Sequence, residues 1–393
     1  MSGGTFDYSQ RTIELIADDI EQTILEAGRK IPDVLLEEHQ HRYSREIPLE
    51  EQYYSSPVGG IKLVEKMYRK KLHISMIFSN LVSLFIKLYN LVMCNLYTKF
   101  VKFLEICKHF SEDLVTEAGN LRRPGPVPRF SDLEVIALSM AAEAEEIDSE
   151  NWLFEAKLKE CRSSIPNLIS RRQFNDRRKS VSPLMEQIRS RIANHIDGGE
   201  DYFCIDSKPI EVCRVARGKR CKMGRTGEFA KAPDFGYCAS QGNYFFGYKL
   251  HALCGLSGVI HSYDLSKASV HDIKYLNDIK PLYHDCSIFG DKGYIGAEVQ
   301  LDLFETANIR LECPYRLNQK NWKPTFVPFA KARKRIETLF SQLTDQFLVI
   351  RNYAKETCGL FARIIGKVSA LTALQYINYI NNKPIGRIKY ALI

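Results

Sequence analysis

Three acidic residues carry the most chemistry in this sequence. Asp206 ends the run YFCID (202–206), Asp291 ends CSIFGD (286–291), and Glu337 lies in AKARKRIETLFSQLTDQF (330–347). Singly, each is ordinary: an aspartate after a strand is a common turn or cap residue, and a helical glutamate is a common surface charge. In order, they form a set of hard oxygen donors. Such donors suit Mg2+, which keeps water and leaves positions open for phosphate oxygens, whereas His or Cys would select a softer metal. Two ions about 3.5–4 Å apart can serve the attacking and the leaving oxygen of an in-line displacement at phosphorus. The expected cofactor is therefore Mg2+, as two ions, with Mn2+ as a substitute.

The elements around these acids must bring them together. YFCID reads as a strand, and GYKLHALCGLSGVIHSYDLS (247–266) as two strands about a Gly-Leu-Ser-Gly turn. A helix is expected over 268–283, stopping near Pro281, then a strand over 286–291. A helix over 297–308, a strand over 309–315 and a long helix over 330–347 follow. This order predicts an α/β domain, with a mixed sheet and helices on both faces. Ligands of such sheets gather beyond the carboxyl ends of strands, so Asp206 and Asp291 converge if their strands are neighbours. In the last helix Ile336, Leu339, Phe340 and Leu343 mark the packed face, with Glu337 at its edge.

Charge divides the 393-residue chain. Net charge is +8, yet residues 1–66 carry 7 Lys/Arg against 13 Asp/Glu, which leaves +14 for the rest. A basic body suits a polyanion such as nucleic acid, although a solvated basic surface has the same composition. The eleven cysteines form no CxxC pair, which argues against a disulfide scaffold or a zinc finger. No secretory signal is read at the N-terminus, so the cytoplasm is the expected compartment.

Five segments are expected. Residues 1–66 form an acidic extension with a helix over 11–27. Residues 67–120 form an apolar helical segment. Its run 74–106 is long enough to raise a membrane span, but Asn80, Lys87, Asn90 and Asn95 interrupt it. A buried or dimer-forming helix, and no membrane partner, is the reading preferred. Residues 121–198 form an all-α, helix-turn-helix-like unit of three short helices. They are opened by the capping-box pattern Ser131–Glu134, by Asp148, and by the pattern Ser170–Gln173. The third carries Arg171, Arg172, Arg177, Arg178 and Lys179, a basic set that fits DNA or, equally in form, a solvated bundle face. Residues 199–350 form the α/β domain, and 351–393 a basic helical segment. RVARGKRCKMGR (214–225), with Arg217, Lys219, Arg220 and Lys222, reads as a loop near Asp206 suited to a DNA backbone.

With these residues in view, the chain resembles the DDE transposases of bacterial insertion sequences. The resemblance rests on YFCIDSKPIEVC, YKLHALCGLSGVI followed by ASVHD, FGDKGYIG and RKRIETLFSQL, and covers about residues 115–380. It implies a ribonuclease H-like catalytic domain with Asp206, Asp291 and Glu337 as the metal-binding triad. Arg333, four residues before the glutamate, fits a position where many relatives carry Arg, whereas Thr344 and Ala330 depart from their pattern. The implied activity is metal-dependent hydrolysis of a DNA strand and its transfer. The implied partners are double-stranded DNA, as terminal inverted repeats and target DNA, and a second copy of the chain. The setting is the bacterial nucleoid. The rival is a catalytically inactive or domesticated DNA-binding protein with the same fold.

Overall fold

The computed structural model describes residues 95–224, 232–239, 241–315, 327–351 and 353–392, all within the unit Leu88–Ile393. The acidic extension, the helix expected over 11–27 and the possible membrane run up to residue 94 lie outside the described residues.

Helix α1 (Asn95–His109) packs on α2 (Asp132–Ala144). The Ser131–Glu134 capping box forms as the spacing predicts, and α2 is buried along almost its whole length. A short irregular helix, α3, runs from Glu150–Trp152 through a π-helical turn, Leu153–Lys157, into Leu158–Cys161. Its cap is Ser149 rather than the expected Asp148. Helix α4 opens with the expected Ser170–Gln173 capping box but runs from Arg171 to Asp197, 27 residues, so it is not the short third helix expected. Phe174, Arg178, Val181, Met185, Ile188 and Ile192 recur at helical spacing along its buried face, and this stripe carries the helix past Pro183.

The sheet follows. Strand β1 (Tyr202–Cys213) pairs antiparallel with β3 (Asn243–Gly255) and parallel with β5 (Ser287–Phe289). Strand β6 (Arg310–Glu312) adds parallel to β5. On its other edge β3 pairs with β4 (Ile260–Lys267) and, further along, with β2 (Asp234–Cys238). The strands expected from the sequence do not include β2, and the first of them stops at Asp206 rather than at Cys213. Between β4 and β5 a 3-10 turn (Asp272–Tyr275) leads into α5 (Leu276–Ile279), much shorter than the helix expected over 268–283. Helices α6 (Ala297–Ala307) and α7 (Val327–Asp345) lie close to the expected bounds. Helix α8 (Thr357–Ile380) and the short α9 (Lys389–Leu392) complete the chain.

Helices cover both sheet faces. One face packs Phe203, Ile205, Leu253 and Ile288 against Leu276, Ile279 and Leu303 of α5 and α6. The other joins Cys204, Ile210, Tyr248 and Leu250 to Ile336, Leu339 and Leu343 of α7, and onward to α1, α2, α4 and α8 in one continuous core. The strand directions and order are consistent with a ribonuclease H-like α/β fold. Because sheet and helices share that core, residues 198/199 and 350/351 do not separate independent cores. Among the described residues, α8 is long and apolar enough to cross a membrane, but 83% of its apolar window is buried within the fold. Its Lys367 pairs with Glu143, and its Arg363 donates to the Asp148 carbonyl at 2.6 Å.

Candidate active site

The β1–β5 register sets the two aspartates side by side. Cys204 lies opposite Phe289, and each aspartate comes two residues later along parallel neighbours. Asp206 is still in β1, opposite Ala252 of β3. Asp291 lies just past β5, where it caps the 3-10 turn Lys292–Tyr294 by accepting the Gly293 N–H at 2.7 Å. A Cβ on Gly293 would stand 2.9 Å from Asp291 Oδ1 and 3.4 Å from Asp272 Oδ2, so glycine lets the acids crowd this turn.

Asp206 Oδ1 accepts the Ser207 N–H at 2.8 Å. Burial pushes its carboxyl up to about 6; the charge of Asp291, and less that of Asp272, add to the rise, while the Ser207 N–H and Arg333 oppose it. Neither Asp206 nor Asp291 has a cationic side chain within ion-pair distance among the described residues. A desolvated carboxylate beside a second acid, with only the more distant Arg333 in opposition, is electrostatically short of positive charge.

Helix α7 docks on β1 through its apolar face, and the Cys204 thiol donates to the Ala332 carbonyl at 3.2 Å. Arg333 therefore lies half-buried within the field of Asp206, and its Nε is buried without a hydrogen-bond partner. Glu337, one turn further on, is exposed. Among the described residues no three His, Cys, Asp or Glu side chains are gathered closely enough to hold a metal ion. The structure thus brings Asp206 and Asp291 together and leaves Glu337 outside their immediate group.

A fourth acid does join them. His271, not Asp272, caps the 3-10 turn after β4. Asp272 instead accepts the Ser207 hydroxyl at 3.0 Å and pairs with Lys249 Nζ at 3.1 Å, while Lys249 also donates to the Val270 carbonyl at 2.9 Å. The residue after Asp206, strand β3 and the β4–α5 turn are tied together by this one carboxylate. Tyr294 is fully buried; burial and the charges of Asp272, Asp206 and Asp291 hold its phenol protonated, and its hydroxyl has no partner. In sequence, Asp272 only closes the ASVHD stretch at a predicted helix start, where capping is the ordinary role of an aspartate. Its signal was a lysine on the facing strand, which has meaning only once the pairing is known. The histidines stand apart: His251, pushed down to about 4 mainly by burial, bonds Ser266 at 2.7 Å, and His261 bonds Asp197 at 3.1 Å.

Much of the basic set on α4 has structural work. Arg178 is 3% exposed and pairs with Glu150, and Arg177 pairs with the buried Asp132 at 2.6 Å. Lys179 holds Glu356 at 2.9 Å and Arg171 donates to Asn151 at 3.1 Å. Arg172 is exposed. A guanidinium buried against a carboxylate cannot reach a phosphate, so Arg178 leaves the DNA-facing set. The loop expected near Asp206 is also elsewhere. Strand β1 continues seven residues beyond Asp206, about 23 Å at strand rise, before a 3-10 strap (Val215–Arg220) begins. Arg217, Lys219 and Arg220 on the strap, and Lys222 after it, are exposed.

No curated protein and no solved structure matches the chain. Residues 197–373 match the family described as transposase DDE domain. The match spans β1 with Asp206, the turn with Asp291 and α7 with Glu337, and this part of the chain is a transposase DDE domain.

Proposed function

We propose that the protein is a DNA transposase that binds the ends of an insertion element, hydrolyses a phosphodiester there in the presence of a divalent metal, and joins the freed 3′ end to target DNA. The observation that supports this most is the pairing of a desolvated carboxylate, Asp206 of β1, with the neighbouring Asp291 just past β5, neither in an ion pair among the described residues. Their donor chemistry fits Mg2+, as two ions, or Mn2+. Asp206, Asp291 and Glu337 are the residues that would hold it, Glu337 as the third ligand from the exposed side of α7. Bound there, the metal would polarise phosphate oxygens and favour in-line displacement for both the hydrolytic and the joining step.

The remaining roles fall to the chain itself. The Gly293 N–H fixes one Asp291 oxygen, and the Ser207 N–H fixes one Asp206 oxygen, so both carboxylates are aimed before DNA arrives. Arg333 offers a half-buried guanidinium beside Asp206 for a DNA phosphate. Terminal inverted repeats bind along the helical unit, with Arg172 as its open contact, and the strap cations hold DNA backbone further along. Two copies bridge the two ends beside the nucleoid. Expected behaviour is divalent-dependent nicking of element ends by the wild type, lost in Asp206→Asn and in Glu337→Gln with end binding kept. Wild-type binding without nicking, under Mg2+ and Mn2+, would move the assignment to an inactive DNA-binding protein.

A further inference from the structure

The paired strands β2 and β3 carry two cross-strand aromatic pairs on one sheet face. Phe235 of β2 lies opposite Phe246 of β3, and Tyr237 lies opposite Tyr244. Side chains on β3 alternate from Tyr244 through Phe246, Tyr248 and Leu250 to Ala252, so this is also the face of Asp206, which pairs with Ala252. The phenylalanine rings meet edge to face at 4.8 Å, with Gly218 of the basic strap against both; Phe246 is buried and Phe235 is 37% exposed. A Cβ on Gly218 would strike Phe235 at 2.7 Å and Phe246 at 2.8 Å, so the strap can lie flat there only with glycine. The next pair is uncovered. Tyr237 and Tyr244 meet at 4.9 Å with a tilt of 54°, and are 51% and 71% exposed.

Two uncovered rings beside a strap of one sign of charge make a specific combination. From Arg214 to Lys222 there are five basic residues and no acid, and Arg217 and Arg220 are exposed. A polyanion with flat apolar faces matches both features, since its phosphates suit the strap and its bases suit the rings. In a duplex the base faces are already stacked, so the rings can engage only an unpaired base. A second copy of the chain is the poorer match, because a two-fold contact through this face would set strap against strap.

We propose that Tyr237 and Tyr244 form a stacking shelf for an unpaired base of single-stranded DNA, whose backbone is held by Arg217 and Arg220 of the strap. The shelf lies eight residues along β3 from the level of Asp206, about 26 Å at strand rise. It can therefore hold strand released from the duplex while Asp206 and Asp291 act on a phosphate several nucleotides away. The proposal rests on the protein acting on DNA, but it does not require that the protein cut it.

The test uses the full chain, with labelled oligothymidylate and a duplex of equal length, read by fluorescence anisotropy over a salt series. The joint variant Tyr237→Ala/Tyr244→Ala is expected to lose roughly ten- to hundredfold in affinity for the single strand, with duplex affinity and the salt slope unchanged. The joint variant Tyr237→Phe/Tyr244→Phe keeps the rings and is expected to bind like the wild type, which guards against a folding defect. Arg217→Ala/Arg220→Ala is expected to lower the single-strand salt slope by about 1.4, because each phosphate contact on a single strand contributes roughly 0.7. Unchanged single-strand affinity in the double alanine variant would overturn the shelf, as would an equal loss for duplex. A change of oligomeric state in light scattering with single-strand affinity intact would overturn it in favour of a self-interface. Element-end nicking separates the two readings. Nicking kept with single-strand affinity unmoved refutes the shelf alone, whereas single-strand binding lost on ring removal in a protein that never nicks refutes the transposase reading alone.

Discussion

At the residue scale the site is under electrostatic tension. The Asp206 carboxyl is held up to about 6, chiefly by burial and then by Asp291. Folding therefore disfavours its ionised form, an opposition that is absent below the unfolded value near 4 and complete above about 6. Asp206→Asn removes it. The metal-free variant is expected to be more stable than wild type at pH 7.5, by about 3 kcal/mol at most, and to show no advantage at pH 3.5; thermal unfolding at the two pH values measures this. Wild type alone should gain stability at pH 7.5 on addition of Mg2+, because a ligand that binds only the folded state raises its melting temperature. Asp272 belongs to the same group. Asp272→Ala leaves half-buried Lys249 without its carboxylate and frees the Ser207 hydroxyl. By the usual effect of removing a residue that supports a metal ligand, nicking should fall roughly 10- to 100-fold with DNA affinity kept, in a cleavage assay run beside a binding assay.

At the element scale the legible parts were those whose neighbours lie close in sequence. Both capping boxes formed because Ser131–Glu134 and Ser170–Gln173 need only four consecutive residues. The two aspartates were visible because apolar runs stop at them, although β1 itself continues past Asp206 to Cys213, and the parallel β1–β5 pairing supplied the rest. Less legible were features set by distant partners. The length of α4 comes from a buried stripe that meets α2 and α8, and β2 exists because Phe235 and Tyr237 find Phe246 and Tyr244. The basic residues of α4 looked equivalent in sequence, yet their partners divide them. Arg178→Ala is expected to destabilise by about 3 kcal/mol or more, since it leaves Glu150 without its buried cation. Arg172→Ala should leave stability unchanged and weaken binding of element ends. Chemical denaturation and binding titrations of the two variants, side by side, distinguish these outcomes.

At the scale of the whole molecule, one face of the sheet and the helical elements share a single core from α1 to α8. The acid-bearing strands are thus braced by residues far outside 199–350. A fragment of residues 199–350 is expected not to unfold cooperatively by circular dichroism, and a sharp melt like that of the full chain would contradict the shared core. The bracing suits a protein that must hold two carboxylates in opposition while DNA is drawn across them. The most direct measurement of the central claim is a cleavage and strand-transfer assay on DNA bearing the element's own ends. It would be run with Mg2+ and with Mn2+, for wild type, Asp206→Asn and Glu337→Gln. The expected result is metal-dependent nicking and joining by wild type alone, with all three proteins binding the ends. Nicking by either variant at the wild-type rate, or none by folded, DNA-bound wild type, would contradict the account.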